Sequence, residues 1–382
     1  PLPGKEKSTI FATLINANGM KRLLFPLLLA GALLGRCDRA AGQTETDRLN
    51  ERLDSLEQLL ERQTVRSEKW SRAVEKLPKV SGYAQLGYQW GELASGSDES
   101  TFYIKRVRLT LGGALYRRIA DYRIQMELAA PRIVDAYVRV APWRQFGVQL
   151  GQYKVPFSIE NVDYGPLRLE AIDYPMALQA LIGLDERIGG EKLASTGRDI
   201  GITFYGGLWK HGDRSILHYQ VGVFNGAGIN CRDNNKSKDI ALRLNVMPLP
   251  ELTLSGSYYR GEWGAGYTDR KRFAAGIAYD GARWFARAEY LGGKTGALRS
   301  NGYYAVAGWR ATRYLTPLVR CDVFRPDSDD ADSQRTNWLV GLDLPVWSHL
   351  RLQLNYTLQH YAVSQNGRND LSLVQVLVTG SF

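Results

Sequence analysis

The sequence contains few of the residues on which catalysis and covalent cross-linking usually depend. Its 382 residues include only 3 cysteines, 4 histidines and 4 methionines. Beyond the N-terminus it also lacks an apolar run of about 20 residues, the length that a membrane-spanning helix requires. These shortages argue against a helical membrane protein. They also argue against a hydrolase, because no serine and histidine are evidently paired as nucleophile and base.

Glycine and aromatic residues, by contrast, are abundant. The chain has 39 glycines, 21 tyrosines and 9 tryptophans, and this turn-punctuated, aromatic composition favours β architecture. The formal net charge of +10 predicts an anionic partner, which charge alone does not identify as nucleic acid, lipid headgroup or solute. Nucleic acid is disfavoured, because the basic residues alternate with apolar ones instead of clustering with exposed aromatics.

The N-terminal region resembles an export signal. A Lys-Arg pair precedes the apolar run 23–34, and small residues follow near Gly42. We therefore predict a signal peptide at 20–42 and interpret 1–19 as an over-extended gene model. Export places the mature protein outside the cytoplasm.

Cysteine chemistry has little support in the sequence. Cys37 follows an arginine where a lipidation motif would have a small residue, so a lipid anchor is disfavoured. Cys231 and Cys321 remain after signal cleavage. One lies in a predicted loop and the other in a predicted strand, and we predict that they are unpaired.

A short amphipathic segment follows the signal peptide. Leucines at 49, 53, 56 and 60 fall on a heptad seam among charged residues. This pattern predicts a periplasmic coiled-coil stalk and linker at 43–79. Because so few heptads are present, self-association through the stalk alone would be weak, and a solvated amphipathic linker is the alternative interpretation.

From Val80 onward the apolar residues recur with period two. About sixteen such segments of roughly ten residues follow, which is the length of a tilted transmembrane strand. Tight Pro- or Gly-bearing links alternate with long polar ones, as expected for short periplasmic turns and long external loops. The sequence therefore predicts an all-β fold, a transmembrane antiparallel β-barrel of about 16 strands over 80–382.

The two faces of each predicted strand differ in polarity. A soluble sandwich would bury its apolar face, whereas a membrane barrel turns that face to lipid and its polar face to the lumen. Export and loop parity favour the barrel. The last strand ends on Phe382, which resembles the recognition signal of bacterial outer-membrane barrels.

The segment TFYIKRVRLTLGG tests this assignment, because it is basic and apolar at once. Val107 and Leu109 share the predicted lipid face, so Arg106 and Arg108 point into the lumen. Lys105 is expected on the lipid side near the outer end, where its long side chain reaches the headgroups. An arginine facing lipid at the bilayer midplane would cost about 2 to 4 kcal/mol, which makes the opposite register unfavourable.

Other bases and acids share the predicted lumen face. The candidate anion pathway comprises Arg106, Arg108, Arg123, Arg139, Arg243, Arg287 and Arg351, and Arg320 shares the same face. The interleaved carboxylates are Asp121, Glu127, Asp135, Glu289, Asp322 and Asp343. Two interpretations stay open for most of these arginines, pairing with the carboxylates or attraction of solute. Arg106 and Arg108 are expected to be free for solute, because their own strand contains no acid.

One predicted link is far longer than the rest. It spans 154–197, and links of this length are usually functional. Its apolar stretch MALQALIGL is poorly suited to water, so we predict that the link folds into the barrel as a constriction. Lys154, Arg168, Arg187 and Lys192 are then the candidate constriction residues. The alternative is an external lid or adhesive loop.

In this order, the segments YIKRVRLTLGG, DAYVRV, GQYKVPFSIE and DIGITFYGG resemble the phosphate-selective porin O and P family. The resemblance covers Val80 to Phe382. It implies a sixteen-stranded, homotrimeric channel of the bacterial outer membrane, with an in-folded third loop and basic residues that draw anions through the constriction. Arg106, Arg108 and Lys154 match the basic segments of the family.

The predicted function is therefore passive diffusion of small solutes through an outer-membrane porin that prefers anions, with phosphate and polyphosphate as candidate solutes. The expected partners are small anionic solutes and outer-membrane lipid. No cofactor is predicted, and the acidic stretch DSDDADS does not fit a calcium loop. A non-conducting barrel that acts as an adhesin or structural protein is the alternative.

Overall fold

The computed structural model describes residues 50–66, 77–92, 98–116, 119–184, 186–188, 191–193, 196–365 and 367–382. The chain divides into two units, Pro1–Glu75 and Lys76–Phe382. The predicted signal peptide and the segment 1–19 lie outside the described residues. They remain predictions.

The first unit contains one described helix, α1 (50–66). Leu53, Leu56 and Leu60 are exposed on it, so an apolar seam is present without a core of its own. The predicted short N-terminal helix is confirmed, whereas its pairing in a coiled coil remains a prediction. In the part of the chain that the structure describes, every helix is too short or too polar to cross a membrane.

The second unit consists mainly of strands. In chain order its elements are β1 (Lys79–Glu92), β2 (Asp98–Tyr116), β3 (Ala120–Glu127), β4 (Arg132–Trp143), β5 (Phe146–Lys154), α2 (Ile159–Asp163), α3 (Met176–Leu181), β6 (Arg187–Ile188), β7 (Glu191–Lys192), β8 (Arg198–His211), β9 (Arg214–Phe224), β10 (Asp239–Leu249), β11 (Leu252–Trp263), β12 (Thr268–Asp280), β13 (Trp284–Thr295), β14 (Leu298–Trp309), β15 (Thr316–Arg325), β16 (Arg335–Trp347), β17 (Leu350–Gln365) and β18 (Arg368–Ser381).

Sixteen of these strands form one closed antiparallel barrel. Each strand pairs with its neighbours in chain order, and β18 pairs with β1 to close the sheet. The short strands β6 and β7 form a separate two-stranded ribbon. Closure leaves no unpaired sheet edge, which a membrane-spanning sheet requires. The predicted all-β barrel of about 16 strands is confirmed.

The longest link between barrel strands joins β5 to β8. We call residues 155–197 the inner loop, and it carries α2, α3, β6 and β7. By contrast, β3 and β4 are joined through the short turn 128–131. The inner loop is therefore the one long insertion between the fifth and sixth strands of the barrel, where the sequence predicts it.

The strand faces differ as a barrel in lipid requires. Apolar side chains such as Leu150 and Val340 are exposed on the outside, whereas Gln85, Gln353 and Asn355 are buried on the inside. Exposed tryptophans cluster where strands meet the short-turn rim: Trp143, Trp209, Trp284, Trp309 and Trp347. Aromatic residues at this level form the interfacial girdle of membrane barrels.

The predicted orientation of Lys105 is wrong. The β1–β2 register pairs Gln85 with Arg106 but Leu86 with Ile104, which leaves Lys105 as the extra residue of a β-bulge. A bulge interrupts the alternation of side chains, so Lys105 turns inward beside Arg106. Its ammonium group binds Asp173 of the inner loop. Strict period-two counting does not detect such an insertion.

Because the outer face of the barrel is apolar, a charged residue introduced there should destabilise the protein more than one introduced on the lumen face. Val340 lies in the middle of β16 with 60% of its surface exposed. We expect Val340→Arg to lower the free energy of unfolding in lipid vesicles by about 2 to 4 kcal/mol, because its charge faces hydrocarbon. The free energy of unfolding should fall much less for the matched variant Gln149→Arg, which places its charge on the lumen side of β5. Urea titration measures both, and equal losses would contradict the assigned faces.

Candidate functional site

The inner loop packs inside the barrel against one side of the wall. Its buried apolar residues are Val155, Phe157, Ile159, Leu169, Ala177, Leu178, Leu181 and Ile182. The wall residues in the same cluster are Tyr153, Phe224, Ala241, Tyr259, Ala274, Ala278, Phe285, Leu291, Tyr304, Val306, Leu318, Phe324 and Leu339. Apart from Tyr153 on β5 and Phe224 at the end of β9, these wall residues belong to β10–β16. The hydrophobic core of the barrel therefore lies within the lumen, between the inner loop and this half of the wall.

Charged contacts hold the same loop. Five inner-loop carboxylates meet a base of the wall: Glu160 and Glu170 bind Arg287, Asp163 binds Arg243, Asp173 binds Lys105, and Glu186 binds both Arg270 and Arg272. Removing one partner of a buried pair leaves an uncompensated charge at a cost of about 3–5 kcal/mol. The pairs therefore specify where the loop lies as well as attaching it.

Arg287 is the most heavily engaged of these bases. Its Nε lies 2.8 Å from Glu160 Oε1, and its Nη2 lies 2.6 Å from Glu170 Oε2. The guanidinium also lies 3.8 Å from the centroid of the Tyr164 ring. Although burial raises the pKa of Glu160, Arg287 opposes that rise. One buried arginine thus joins two separate parts of the inner loop to β13.

Arg351 supports the loop through its backbone. Its guanidinium binds Asp343 at 2.8 Å and donates to the carbonyl oxygens of Leu167 and Leu169 at 2.9 and 2.8 Å. Arg243 and Arg287 are likewise buried under the loop. The structure therefore places Arg243, Arg287 and Arg351, three of the predicted pathway arginines, inside the lumen and in contact with the inner loop.

A residue with unusual backbone geometry, Ser158, lies near the start of the inner loop. Ser158 has φ 69, an unusual value for a residue other than glycine, and is fully buried. Its hydroxyl donates to Glu289 at 2.6 Å, and the Ile159 amide donates to the same carboxylate at 3.0 Å. Such strain persists only where surrounding contacts fix the conformation. Glu289 on β13 supplies those contacts.

Arg108 has a carboxylate partner, which corrects the expectation that it is free for solute. Its Nε lies 3.0 Å from Glu127 Oε2, because the register places the two residues opposite each other on β2 and β3. Cross-strand neighbours interact whatever their separation in sequence. The absence of an acid within one strand is therefore a poor guide to pairing.

Two further predicted arginines pair within the wall. Arg139 lies 3.1 Å from Asp121, and Arg123 lies 3.9 Å from Asp135. Asp135 binds Arg198 more closely, at 2.7 Å. Sequence reasoning missed Arg198. Its position at the first residue after the long link could have indicated it.

Two of the cavities beside the inner loop lie on the opposite side of the lumen. The outer cavity, of about 290 Å³, lies nearer the rim of the long loops and includes Lys105, Arg106 and Arg132. The inner cavity, of about 350 Å³, includes Arg123, Tyr137, Gln149 and Arg168. Both are lined by Arg108, Lys154, Pro166 and Arg198, which mark their junction.

Basic residues predominate in this lining. The bases are Lys105, Arg106, Arg108, Arg123, Arg132, Lys154, Arg168 and Arg198, and the carboxylates are Glu127, Asp135 and Asp173. Burial raises the pKa of Asp173, but Lys105, Gln375 and Arg106 outweigh that effect and lower it to about 2. All three carboxylates have basic partners. A lining of this kind concentrates anions.

Four cations along the two cavities have no carboxylate partner among the described residues: Arg106, Arg132, Lys154 and Arg168. Arg106 donates to the Gln85 amide at 2.8 Å, Lys154 to the Asn161 carbonyl, and Arg168 to the Asp163 carbonyl at 3.2 Å. Arg106 lines the outer cavity, Lys154 the junction, and Arg168 the inner cavity. They form a succession of cations along the lumen.

Of the two remaining predicted constriction residues, Arg187 is not brought to this junction. Arg187 is exposed in the ribbon of β6 and β7, and its neighbour Glu186 instead turns inward to Arg270 and Arg272. The side chain of Lys192 lies outside the described residues. Lys154 and Arg168 are thus the two predicted constriction residues that line the cavities.

Solved structures of other barrels share this fold at low sequence identity. The trimer form of OmpT from Vibrio cholerae is 11% identical with a TM-score of 0.55, covering 80% of this chain and 100% of that one. OmpF from Salmonella typhi in complex with daunomycin is 10% identical with a TM-score of 0.55, covering 81% and 98%. The outer-membrane channel DcaP of Acinetobacter baumannii is 10% identical with a TM-score of 0.55, covering 80% and 97%. No curated protein sequence matches the chain.

The barrel and its sequence together define the class of protein. A closed sixteen-stranded barrel with an apolar outer face is the fold that outer-membrane porins share, and the fold and the family match together indicate a location in the bacterial outer membrane. The family model described as phosphate-selective porin O and P matches residues 83–259. The predicted resemblance to that family is therefore confirmed.

The pairing of Arg287 predicts a large cost of truncation. Because Arg287→Ala leaves Glu160 and Glu170 uncompensated under the loop, we expect the free energy of unfolding in lipid vesicles to fall by about 3–5 kcal/mol. Trypsin should also cleave the inner loop faster. The matched control is Arg139→Ala, whose half-exposed pair should cost about 1 kcal/mol or less. Similar losses for both variants would show that Arg287 does not anchor the loop.

Proposed function

We propose that the protein conducts small anions passively across the outer membrane and that the inner loop forms the constriction. The observation that carries this proposal is the succession of Arg106, Lys154 and Arg168 along the two cavities, each without a carboxylate partner among the described residues. Their uncompensated charge raises the local concentration of anions. No covalent step is needed.

The junction of the cavities is the proposed constriction. Pro166 of the inner loop faces Lys154, Arg108 and Arg198 there, so a solute that passes between the cavities meets three bases. Arg108 and Arg198 are paired with Glu127 and Asp135, which leaves Lys154 as the base without a carboxylate. Conduction requires binding that is favourable enough for entry and weak enough for release. Several cations in succession, each binding weakly, allow both entry and release better than a single site that encloses the solute.

Inorganic phosphate and polyphosphate are candidate solutes, as the matched family description suggests. We further propose a homotrimer. The OmpT structure from Vibrio cholerae is described as a trimer form, and α1 exposes an apolar seam that could pair with copies of itself. Because a helix this short is marginal alone, α1 would support a trimer that the barrels already form.

The reversal potential of the purified protein in a planar bilayer under a KCl gradient tests the proposal. We expect anion selectivity in the wild type. A triple variant carrying Arg106→Gln, Lys154→Gln and Arg168→Gln should lower the anion-to-cation permeability ratio by about tenfold, because it removes the uncompensated charges.

The control is Lys210→Gln, which removes an exposed base near the end of β8 and should leave the ratio unchanged. A cation-selective wild type would contradict the proposed role of the three bases. A protein that inserts without conducting would favour an adhesin or structural barrel.

A further inference from the structure

The two cavities differ in their chemistry. Charged groups dominate the outer cavity, which contains Lys105, Arg106, Arg132, Glu127 and Asp173. The inner cavity adds three tyrosines and three glutamines to its bases: Tyr83, Tyr137, Tyr153, Gln125, Gln149 and Gln220. Aromatic surfaces with a few placed polar groups are typical of sites that bind organic molecules. A pathway for bare inorganic ions does not require them.

Several of these groups have unused hydrogen-bonding capacity. Within the described chain, the hydroxyls of Tyr83 and Tyr137 and the side-chain amide of Gln149 have no hydrogen-bond partner, and all three residues line the inner cavity. The third tyrosine differs, because its hydroxyl donates to Thr203 at 2.9 Å. Because these groups line the cavity, they are available to water or solute.

Backbone geometry keeps Tyr137 accessible and in place. Its ring packs edge-on against the ring of Tyr153, with centroids 6.0 Å apart. The residue opposite Tyr137 on β5 is Gly151, at φ 130, where a Cβ atom would lie 2.1 Å from the Ala136 carbonyl oxygen. Only glycine fits there, so the position directly opposite Tyr137 carries no side chain, and Tyr153 is the β5 residue whose ring packs against its edge.

We propose that the inner cavity is a subsite for organic anions that carry one phosphate or carboxylate group on a hydroxylated ring, the class represented by sugar phosphates and sugar acids. This inference rests on the proposed anion conduction. Arg168 and Lys154 hold the anionic group, Tyr83 and Tyr137 contact the apolar face of the ring, and Gln149 bonds its hydroxyls. The outer cavity selects solutes by their charge, and the inner cavity selects them by the hydroxylated ring that carries the charge.

Block of KCl conductance in a planar bilayer tests this inference with four probes: glucose 6-phosphate, glucuronate, inorganic phosphate and glucose. We expect at least one charged sugar to block at a concentration several times lower than phosphate, and glucose not to block. An aromatic contact contributes about 0.5–1.5 kcal/mol, so Tyr137→Ala should raise the half-blocking concentration of that sugar roughly 2- to 10-fold. Block by phosphate should stay unchanged.

Two further variants strengthen the test. Gln149→Leu removes a polar contact without removing a ring and should also weaken block by the charged sugar, which keeps the inference testable if Tyr137→Ala fails to fold. Tyr356→Ala removes an outward-facing tyrosine of β17 as a matched control and should change no block.

The reversal potential, measured on the same channels, separates this inference from the proposed function. Anion selectivity combined with equal block by phosphate and both charged sugars would overturn the sugar-anion subsite alone. Anion selectivity with equal effects of Tyr137→Ala on phosphate and sugar block would do the same. Cation selectivity would overturn both proposals.

Discussion

Ion pairing between the inner loop and the barrel wall is the interaction on which the rest of the lumen depends. Buried charge is expensive unless a partner lies nearby, and the loop carries five carboxylates into the barrel. Bases for four of them project from β10, β12 and β13, and Lys105 extends from β2 to the fifth. With the apolar cluster around Phe157 and Leu178, the pairs on β10, β12 and β13 fix the loop against one half of the wall, and the Asp173–Lys105 pair connects it to β2. The opposite half remains lined by cavities.

This arrangement divides the lumen bases by role. Arg243, Arg287 and Arg351 stabilise the loop, and Arg108 and Arg139 pair across neighbouring strands. The positive field therefore originates from fewer residues than the composition suggests. Arg106, Lys154 and Arg168, together with Arg132 at the outer cavity, line the cavities without a carboxylate partner among the described residues. Net charge alone predicts an anionic partner, but only the pairing pattern locates where an anion would pass.

Local sequence predicts the barrel well and the lumen poorly. Alternation in segments such as LRLQLNYTL determines which face meets lipid, and the length of 154–197 predicts an insertion. Pairing depends instead on register and on contacts distant in sequence. Arg108 meets Glu127 only because β2 and β3 align them, and the bulge at Lys105 shifts one residue of an otherwise regular strand. Glu186, which binds two buried arginines, follows no local pattern that distinguishes it from exposed Arg187 beside it.

The position of the inner loop is the central claim, and thiol accessibility measures it directly. In a background without the native cysteines, Gln149→Cys places a thiol in the inner cavity, and Ala274→Cys places one under the loop on β12. A small anionic thiosulfonate added to open channels should modify the first thiol rapidly and change the conductance, while the second stays unreactive. Comparable rates at both thiols would mean that the loop does not cover the β10–β16 side of the lumen.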